Sequence, residues 1–418
     1  MQKPSTSADC GTQSSRLMPE DEALKLMLDQ VSPVSDVVDV DLANALNRVL
    51  AQPQISPVNV PPHDNSAMDG FAVRSADIVP GGITQLKITQ RIPAGSPGTP
   101  LAEGSAARIF TGAPLPGGTD TVIMQEQCRY DDNQVTIQGP VTAGTHIRQI
   151  GEDITMGTEI LGAGIKLRPQ DIGLAAAVGI ATLPVYRKIN IAIFSTGDEL
   201  ADPGHSLESG KIYNSNRYML TGLLQMLGCT IIDLGTVPDN QAATRTVLQQ
   251  AAPRADLIIT TGGVSVGEED HVKAAVEELG QLELWRIALK PGKPLAYGKI
   301  DAAHFIGLPG NPVSAFITFC IIARPFILRL QGRTDYAPKT FRATADFAIT
   351  NPINRREYLR ARFDSTRNAD THVSVYPHQG SGVLTSATWA NCLAVIPEQT
   401  TVTYGQQISV IPFSELFC

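Results

Sequence analysis

Apolar positions recur along this chain with a period that changes from region to region. After Pro19, Leu24, Leu28 and Val31 fall at i, i+4 and i+7, which predicts a helix, and Glu20, Asp21 and Glu22 sit where its positive end would be. A second helix is expected over 41–49. From 55 to 153 short β-prone runs (86–89, 107–110, 121–125, 134–137) alternate with Gly/Pro turns such as PAGSPGTP and TGAPLPGGTD, which predicts a small, mostly β domain. The Gly/Ala-rich stretch 171–180 reads as a closely packed helix.

From 188 onward strands and helices alternate. Strands are expected at 189–194, 230–234, 257–260 and 305–308. Helices are expected at 218–227, closed by Gly228, and at 241–252, 269–279 and 313–330. Apolar strands alternating with helices predict a doubly wound parallel sheet covered on both faces. After Pro338 short strands return (341–347, 358–363, 373–376, 392–396, 407–411), which predicts a closing β-barrel. The fold class expected is therefore multidomain α/β plus β. Residues 1–15 read as a flexible tail and 16–54 with 154–187 as a linking region whose first helix (16–32) packs on the α/β domain. Residues 55–153 are the small β domain, 188–335 the α/β domain and 336–418 the barrel.

A length of 418 residues agrees with about three domains. With 43% hydrophobic and 18% charged residues, the composition excludes a mostly disordered or fibrous chain. The net charge of −8 argues against a nucleic-acid partner, though not against a local basic pocket for a small anion. Six scattered cysteines without a C-x-x-C suggest neither a zinc site nor a disulfide scaffold and fit a cytoplasmic setting. The most apolar stretch, 315–328, contains Arg324 and Pro325 and reads as a buried helix rather than a membrane span. The polar N-terminus shows no signal-peptide pattern.

Ligands of open α/β sheets bind beyond the carboxyl ends of the strands. Four strand ends here carry suitable chemistry: STGDEL (Thr196, Glu199), GTVPDN (Asp239), TGGVSVGEED (Gly262, Gly263, Ser265, Gly267, Asp270) and PGNPVS (Asn311, Ser314). The glycine-rich turn before a helix lets backbone N–H groups approach an anion. Glu199, Asp239 and Asp270 could complete an oxygen-ligand set for Mg²⁺. KPGKP sets Lys290 and Lys293 on a chain stiffened by two prolines, suited to a tetrahedral oxyanion. Each loop alone could equally be an assembly of turns and N-caps. Their coincidence on consecutive strands favours a site.

DNSAMDGFA, TGAPLP, STGDEL, TGGVSVGEEDH, KPGKP, GLPGNPVS and HQGSG occur in this order. In that set the chain resembles the MoeA family, the molybdopterin molybdenumtransferases related to the E domains of gephyrin and plant Cnx proteins, from about Leu17 to Phe417. The resemblance implies four subdomains, a homodimer, and a 188–332 segment similar to the adenylylating enzymes of the same pathway. It implies that molybdate is inserted into adenylylated molybdopterin, with Mg²⁺-dependent cleavage of the phosphoanhydride and release of AMP. Carried over motif by motif, Asp69, Thr111, Glu199, Asp239, Asp270, Lys290, Lys293, Arg360 and Ser381 become catalytic candidates. Ser66, Thr196, Gly262, Gly263, Ser265, Gly267, Arg286, Pro309 and Asn311 become substrate-binding ones. Arg286 departs from the lysine of some relatives, which leaves its role open. Transient contacts with the adenylyltransferase and with molybdoenzyme acceptors are further expectations. The α/β domain alone would also suit a molybdopterin adenylyltransferase or nucleotide pyrophosphatase, or a scaffold of the gephyrin type. The extra β domains favour the transferase.

Overall fold

A computed structural model describes residues 17–263, 271–364 and 371–417. The chain divides into two compact units, one of residues 39–46 and 50–185, the other of the remainder.

The first unit is built on a six-stranded sheet in the order Thr121–Met124, Gly70–Val73, Ser105–Ile109, Ile83–Ile92, Gln134–Gln138, Arg129–Tyr130. Gly70–Val73 is buried throughout, and its alternation sends Phe71 and Val73 into one apolar cluster and Ala72 into another. Only Ser105–Ile109 against Ile83–Ile92 is parallel among this sheet's pairings. The expected β runs fall within these strands, 86–89 being part of a longer one and 107–110 and 121–125 ending a residue earlier. The helix at Pro169–Ala177 starts with its proline in the first turn, and its start is fixed by Arg168, whose N–H and guanidinium donate to the Asp171 carboxylate while its carbonyl accepts the Asp171 N–H. The helix expected over 41–49 is not formed. Leu42–Asn44 makes a single 3₁₀ turn and Asn47 takes φ 63°, a left-handed conformation that ends any helix.

The second unit holds a six-stranded sheet in the order Thr230–Val237, Asn190–Thr196, Leu257–Thr261, Ala303–Leu308, Pro294–Ile300, Gly280–Arg286. The first four strands form the expected doubly wound parallel sheet, and two further strands join its edge through antiparallel pairings. Gly280–Arg286 alternates polar and apolar residues, and the apolar part of Pro294–Ile300 is short and broken by Gly298 and Lys299, patterns that the apolar-run criterion passes over. Ile191, Ile193 and Ile259 face one layer, shared by Ser215–Met226, the 312–330 helix and Ala23 and Met27 of the N-terminal helix Glu20–Asp29. Ala192, Phe194 and Ile258 face the other, formed by Gln241–Ala251 and His271–Leu279. Asn214 and Asn240 cap two of these helices with their side chains.

The 312–330 helix has a mean hydropathy of 1.8 and is 94% buried within the fold, so it is a core helix. It widens into a π turn at Phe319–Ala323 immediately before Pro325, which has no N–H to continue an α ladder. Beyond it five strands close on themselves in the order Arg356–Asp364, His372–Val375, Phe341–Ala345, Gln407–Pro412, Cys392–Ile396. Closure leaves no free sheet edge between them. Leu289–Lys290 adds to this barrel in parallel with Arg356 and Glu357, which brings the lysine-bearing loop of the α/β domain onto the barrel wall.

Candidate active site

The carboxyl ends of the parallel strands open into a cleft of about 700 Å³. Thr196, Glu199, Thr261 and Gly262 line it from the strand ends, and Pro309 and Asn311 from the turn before the long helix. Residues 290–294 form a second wall, and Arg355, Gln379, Gly380 and Ser381 of the barrel a third. Gly262 has φ 88°, and a Cβ there would lie 2.9 Å from the Thr196 carbonyl oxygen, so glycine is required for this strand end to approach its neighbour. Gly292, between the two lysines, has φ 118°, and a Cβ there would meet the Thr318 hydroxyl at 2.4 Å.

The charges in the cleft are unevenly engaged. Lys290 Nζ lies 2.7 Å from Glu357 Oε1 on the barrel strand beside it. Lys293 is exposed, with no carboxylate partner among the described residues. Ser381 is held by its carbonyl, which accepts the Val313 N–H at 2.9 Å, so the barrel loop is tied to the start of the long helix. That helix terminus, the lysines and Arg355 make this end of the cleft suited to an anion.

Arg360 does not line the cleft. Its side chain is fully buried, and its guanidinium donates to Ser386 Oγ at 3.0 Å and to the carbonyls of Gly380 and Tyr358 at 3.3 Å. Burial lowers its pKa to about 10. Its backbone and Gln379 also exchange hydrogen bonds. Arg360 therefore fixes the loop that presents Ser381.

On the acidic side, Glu199 opens on the cleft, whereas Asp239 is not among its lining residues. The Asp239 N–H donates to Asp198 Oδ1 at 3.2 Å, tying the two loops, and Asp239 Oδ1 is buried without a hydrogen-bond partner among the described residues. Among the described residues no three His, Cys, Asp or Glu side chains gather as a metal site. Ser265, Gly267 and Asp270 lie outside the described residues. Gly263 packs under the site beside Val272 and Thr196 and does not line it. Arg286 is exposed on the antiparallel edge strand and is likewise not part of the wall.

Asp69 and Thr111 belong to the other unit. Thr111 donates both its N–H and its hydroxyl to Asp69 Oδ1, each at 2.8 Å. The Thr111 N–H, then its hydroxyl, hold the Asp69 carboxyl below its ordinary value. Ser66 is buried with its hydroxyl donated to the Met68 carbonyl, so it shapes the turn and presents nothing outward.

Ser314, expected at the rim with Asn311, does line the cleft, whereas sequence reasoning missed Arg355, Asn216 and Gln379. Gln379 could have been found from its place in HQGSG. Asn216, whose amide donates to the Gly310 carbonyl at 2.7 Å, carries no local signal.

Three family descriptions match in succession: MoeA N-terminal region (domain I and II) over 18–179, probable molybdopterin binding domain over 192–329, and MoeA C-terminal region (domain IV) over 342–413. The chain is 40% identical to the molybdopterin molybdenumtransferase of Haemophilus influenzae over 95% of its own length and 98% of that protein. It is 35% identical to the molybdopterin molybdenumtransferase of a Nostoc species, covering 90% of this chain and 88% of the relative. The crystal structure of a molybdopterin biosynthesis MoeA protein from Pyrococcus horikoshii superposes with a TM-score of 0.80 at 30% identity, over 95% of this chain and 99% of that one. This chain belongs to the MoeA family.

Proposed function

We infer that this protein acts in molybdenum cofactor biosynthesis as a molybdopterin molybdenumtransferase, and that its cleft takes adenylylated molybdopterin and molybdate. The observation that carries the reading is the cleft itself, lined by Lys290 and Lys293 from one loop, Ser381 from the barrel, and Thr196, Glu199 and the glycine turn at Gly262 from the strand ends. Such a site suits two anions, a diphosphate and a tetrahedral oxyanion. Matches along nearly the whole chain favour this over an adenylyltransferase, a pyrophosphatase or a scaffold built on the α/β domain alone.

In the proposed course the substrate's dithiolene lies towards the lysines. Lys293, Lys290 and Ser381 hold molybdate there, and Arg355 adds a positive charge to the same wall. Thr196 and the backbone at Gly262 hold the diphosphate. A water oxygen attacks phosphorus, the bridging P–O bond of the anhydride breaks and AMP leaves; molybdate exchanges Mo–O bonds for two Mo–S bonds to the dithiolene, the displaced oxide leaving as water with the two thiol protons and the metal's oxidation state unchanged. No protein nucleophile is required.

Mg²⁺ belongs to the same proposal. Glu199 at the cleft and the orphaned buried oxygen of Asp239 suit a hard cation, and Glu199, Asp239 and Asp270 would hold it. Bound, it would offset diphosphate charge and polarise a phosphoryl oxygen. Asp69 and Thr111 serve the same reaction in this reading, in a cytoplasmic homodimer that meets the adenylyltransferase upstream and molybdoenzyme acceptors downstream. The test is AMP release from adenylylated molybdopterin, followed with and without molybdate. Molybdate-stimulated release together with a product that reconstitutes a molybdoenzyme is expected. Adenylylation of molybdopterin by ATP without molybdenum insertion would reverse the assignment.

A further inference from the structure

Asp69 is held by more than Thr111, and the additional support comes from Arg108. Arg108 lies directly opposite Phe71 on the neighbouring strand, two residues beyond Asp69. Its guanidinium carbon sits 4.9 Å from the Phe71 ring centre, 5.0 Å from Phe110 and 5.2 Å from Tyr130. Phe71 and Tyr130 meet edge to face at 5.0 Å, closing the cage around it. Enclosed in this way, the fork has little rotational freedom. One arm donates to the Gly70 carbonyl at 3.1 Å and the other to the Gln125 side-chain oxygen. Gln125 in turn donates its N–H to the Asp69 carbonyl at 3.1 Å.

The Asp69 main chain is thus bracketed. Its own carbonyl is taken by Gln125 and the next carbonyl by Arg108, while Phe110, a wall of the cage, precedes Thr111. The cage therefore governs both the Asp69 backbone and the residue that orients its carboxylate. Arg108 also brings the positive charge that acts on that carboxylate, adding to the Thr111 bonds.

We propose that Arg108 is a positioning residue for the Asp69–Thr111 pair, fixing the aspartate's backbone through its two-armed bridge to the Gly70 carbonyl and Gln125. The inference rests on the proposed role of Asp69 in the reaction. No part of the family resemblance singles out this arginine.

The test compares Arg108→Gln, Arg108→Lys and Asp69→Asn in the full chain, by AMP release from adenylylated molybdopterin with molybdate across pH. Arg108→Gln is expected to lose about tenfold in turnover with KM little changed, as displaced reacting groups do. The acid limb of its pH profile should also move to higher pH. Arg108→Lys should keep the limb in place without restoring turnover, because one ammonium does not hold Gly70 and Gln125 together. A role confined to stability would lower the melting temperature and leave the limb where it was. If Asp69→Asn turns over normally, the reading of Asp69 fails and this inference with it. If Asp69→Asn is impaired while Arg108→Gln keeps the parental turnover and acid limb, the inference alone is overturned, as it is if lysine restores full turnover. Should Arg108→Gln not fold, Gln125→Leu cuts the same bridge while keeping the charge. It is expected to lower turnover at constant KM, and an unchanged turnover would overturn the proposal.

Discussion

Lys290 and Glu357 are joined twice, once by backbone register between the loop after the sheet edge and the first barrel strand, and once by an ammonium–carboxylate contact of 2.7 Å. Glu357 is only 8% exposed, while Lys290 also lines the cleft. The pair fastens the anion-binding loop to the barrel and holds an otherwise flexible ammonium in place.

Two effects of Lys290→Ala should therefore be separable. Molybdate use should weaken roughly 10- to 150-fold, the worth of a charge-assisted contact of about 1.5–3 kcal/mol. Stability should fall by about 1–2 kcal/mol because Glu357 is left without its partner. Lys290→Ala with Glu357→Gln should regain the stability and not the molybdate dependence. Denaturant titration and cofactor formation against molybdate concentration measure the two arms. Recovery of molybdate use in the double variant would assign Lys290 a structural role only.

Arg360→Ala should reduce activity through the Ser381 loop rather than through a lost ligand contact. Its removal strands the Gly380 and Tyr358 carbonyls and Ser386 in a buried space, at a cost of about 3 kcal/mol or more. Ser386→Ala should produce a milder version of both effects, about 1 kcal/mol. If Arg360→Ala abolishes molybdate use while leaving the unfolding midpoint unchanged, the guanidinium acts on the anion directly.

Glu199→Ala and Asp239→Asn should keep the fold and raise the Mg²⁺ concentration needed for half-maximal AMP release by about tenfold or more, since ligand number and charge set affinity for a hard cation. Normal Mg²⁺ dependence in both would place the cation elsewhere.

Glu20 gives the protein a pH-dependent stability. It is 5% exposed, receives the Tyr358 hydroxyl at 2.6 Å, and faces Arg356 at 3.6 Å, with Asp21 and Glu398 also nearby. Burial raises its pKa to about 7, against the lowering by Tyr358 and Arg356. The folded state thus keeps a proton that the unfolded chain releases near pH 4.5. The neutral form's contribution is fully present below that pH and is lost as pH rises towards 7. Glu20→Gln, neutral at every pH, should match the parent near pH 4.5 and exceed it by about 3 kcal/mol at pH 7.5. Parallel stability curves from pH 4.5 to 7.5 would show that Glu20 ionises freely.

The parallel half of the sheet was legible because its strands are continuous apolar runs, and the 218–227 helix because Gly228 supplies the left-handed residue that ends it, at φ 73°. The antiparallel strands Gly280–Arg286 and Pro294–Ile300 were not, since Gln281 and Glu283 break the first and the second holds only the short run 295–297 before Gly298 and Lys299. At the site, prolines and glycines marked the lysine loop and the strand ends. What local pattern does not contain is the direction of a side chain after closure. The Arg360 guanidinium turns into the barrel, Arg355 five residues earlier reaches the cleft, and Ser66 turns inward to the Met68 carbonyl. Each outcome depends on which strand pairs with which, a property of the closed barrel or sheet and not of the motif.

The most direct measurement of the central claim is a crystal of this protein soaked with molybdate and AMP, with data collected at the molybdenum absorption edge. The account predicts one anomalous peak within hydrogen-bonding distance of Lys293 and Ser381, on the side of the Lys290–Glu357 pair that faces the cleft, and the AMP phosphate at Thr196 and Gly262. A nucleotide phosphate seated on the two lysines, with molybdenum absent from that end of the cleft, would contradict it.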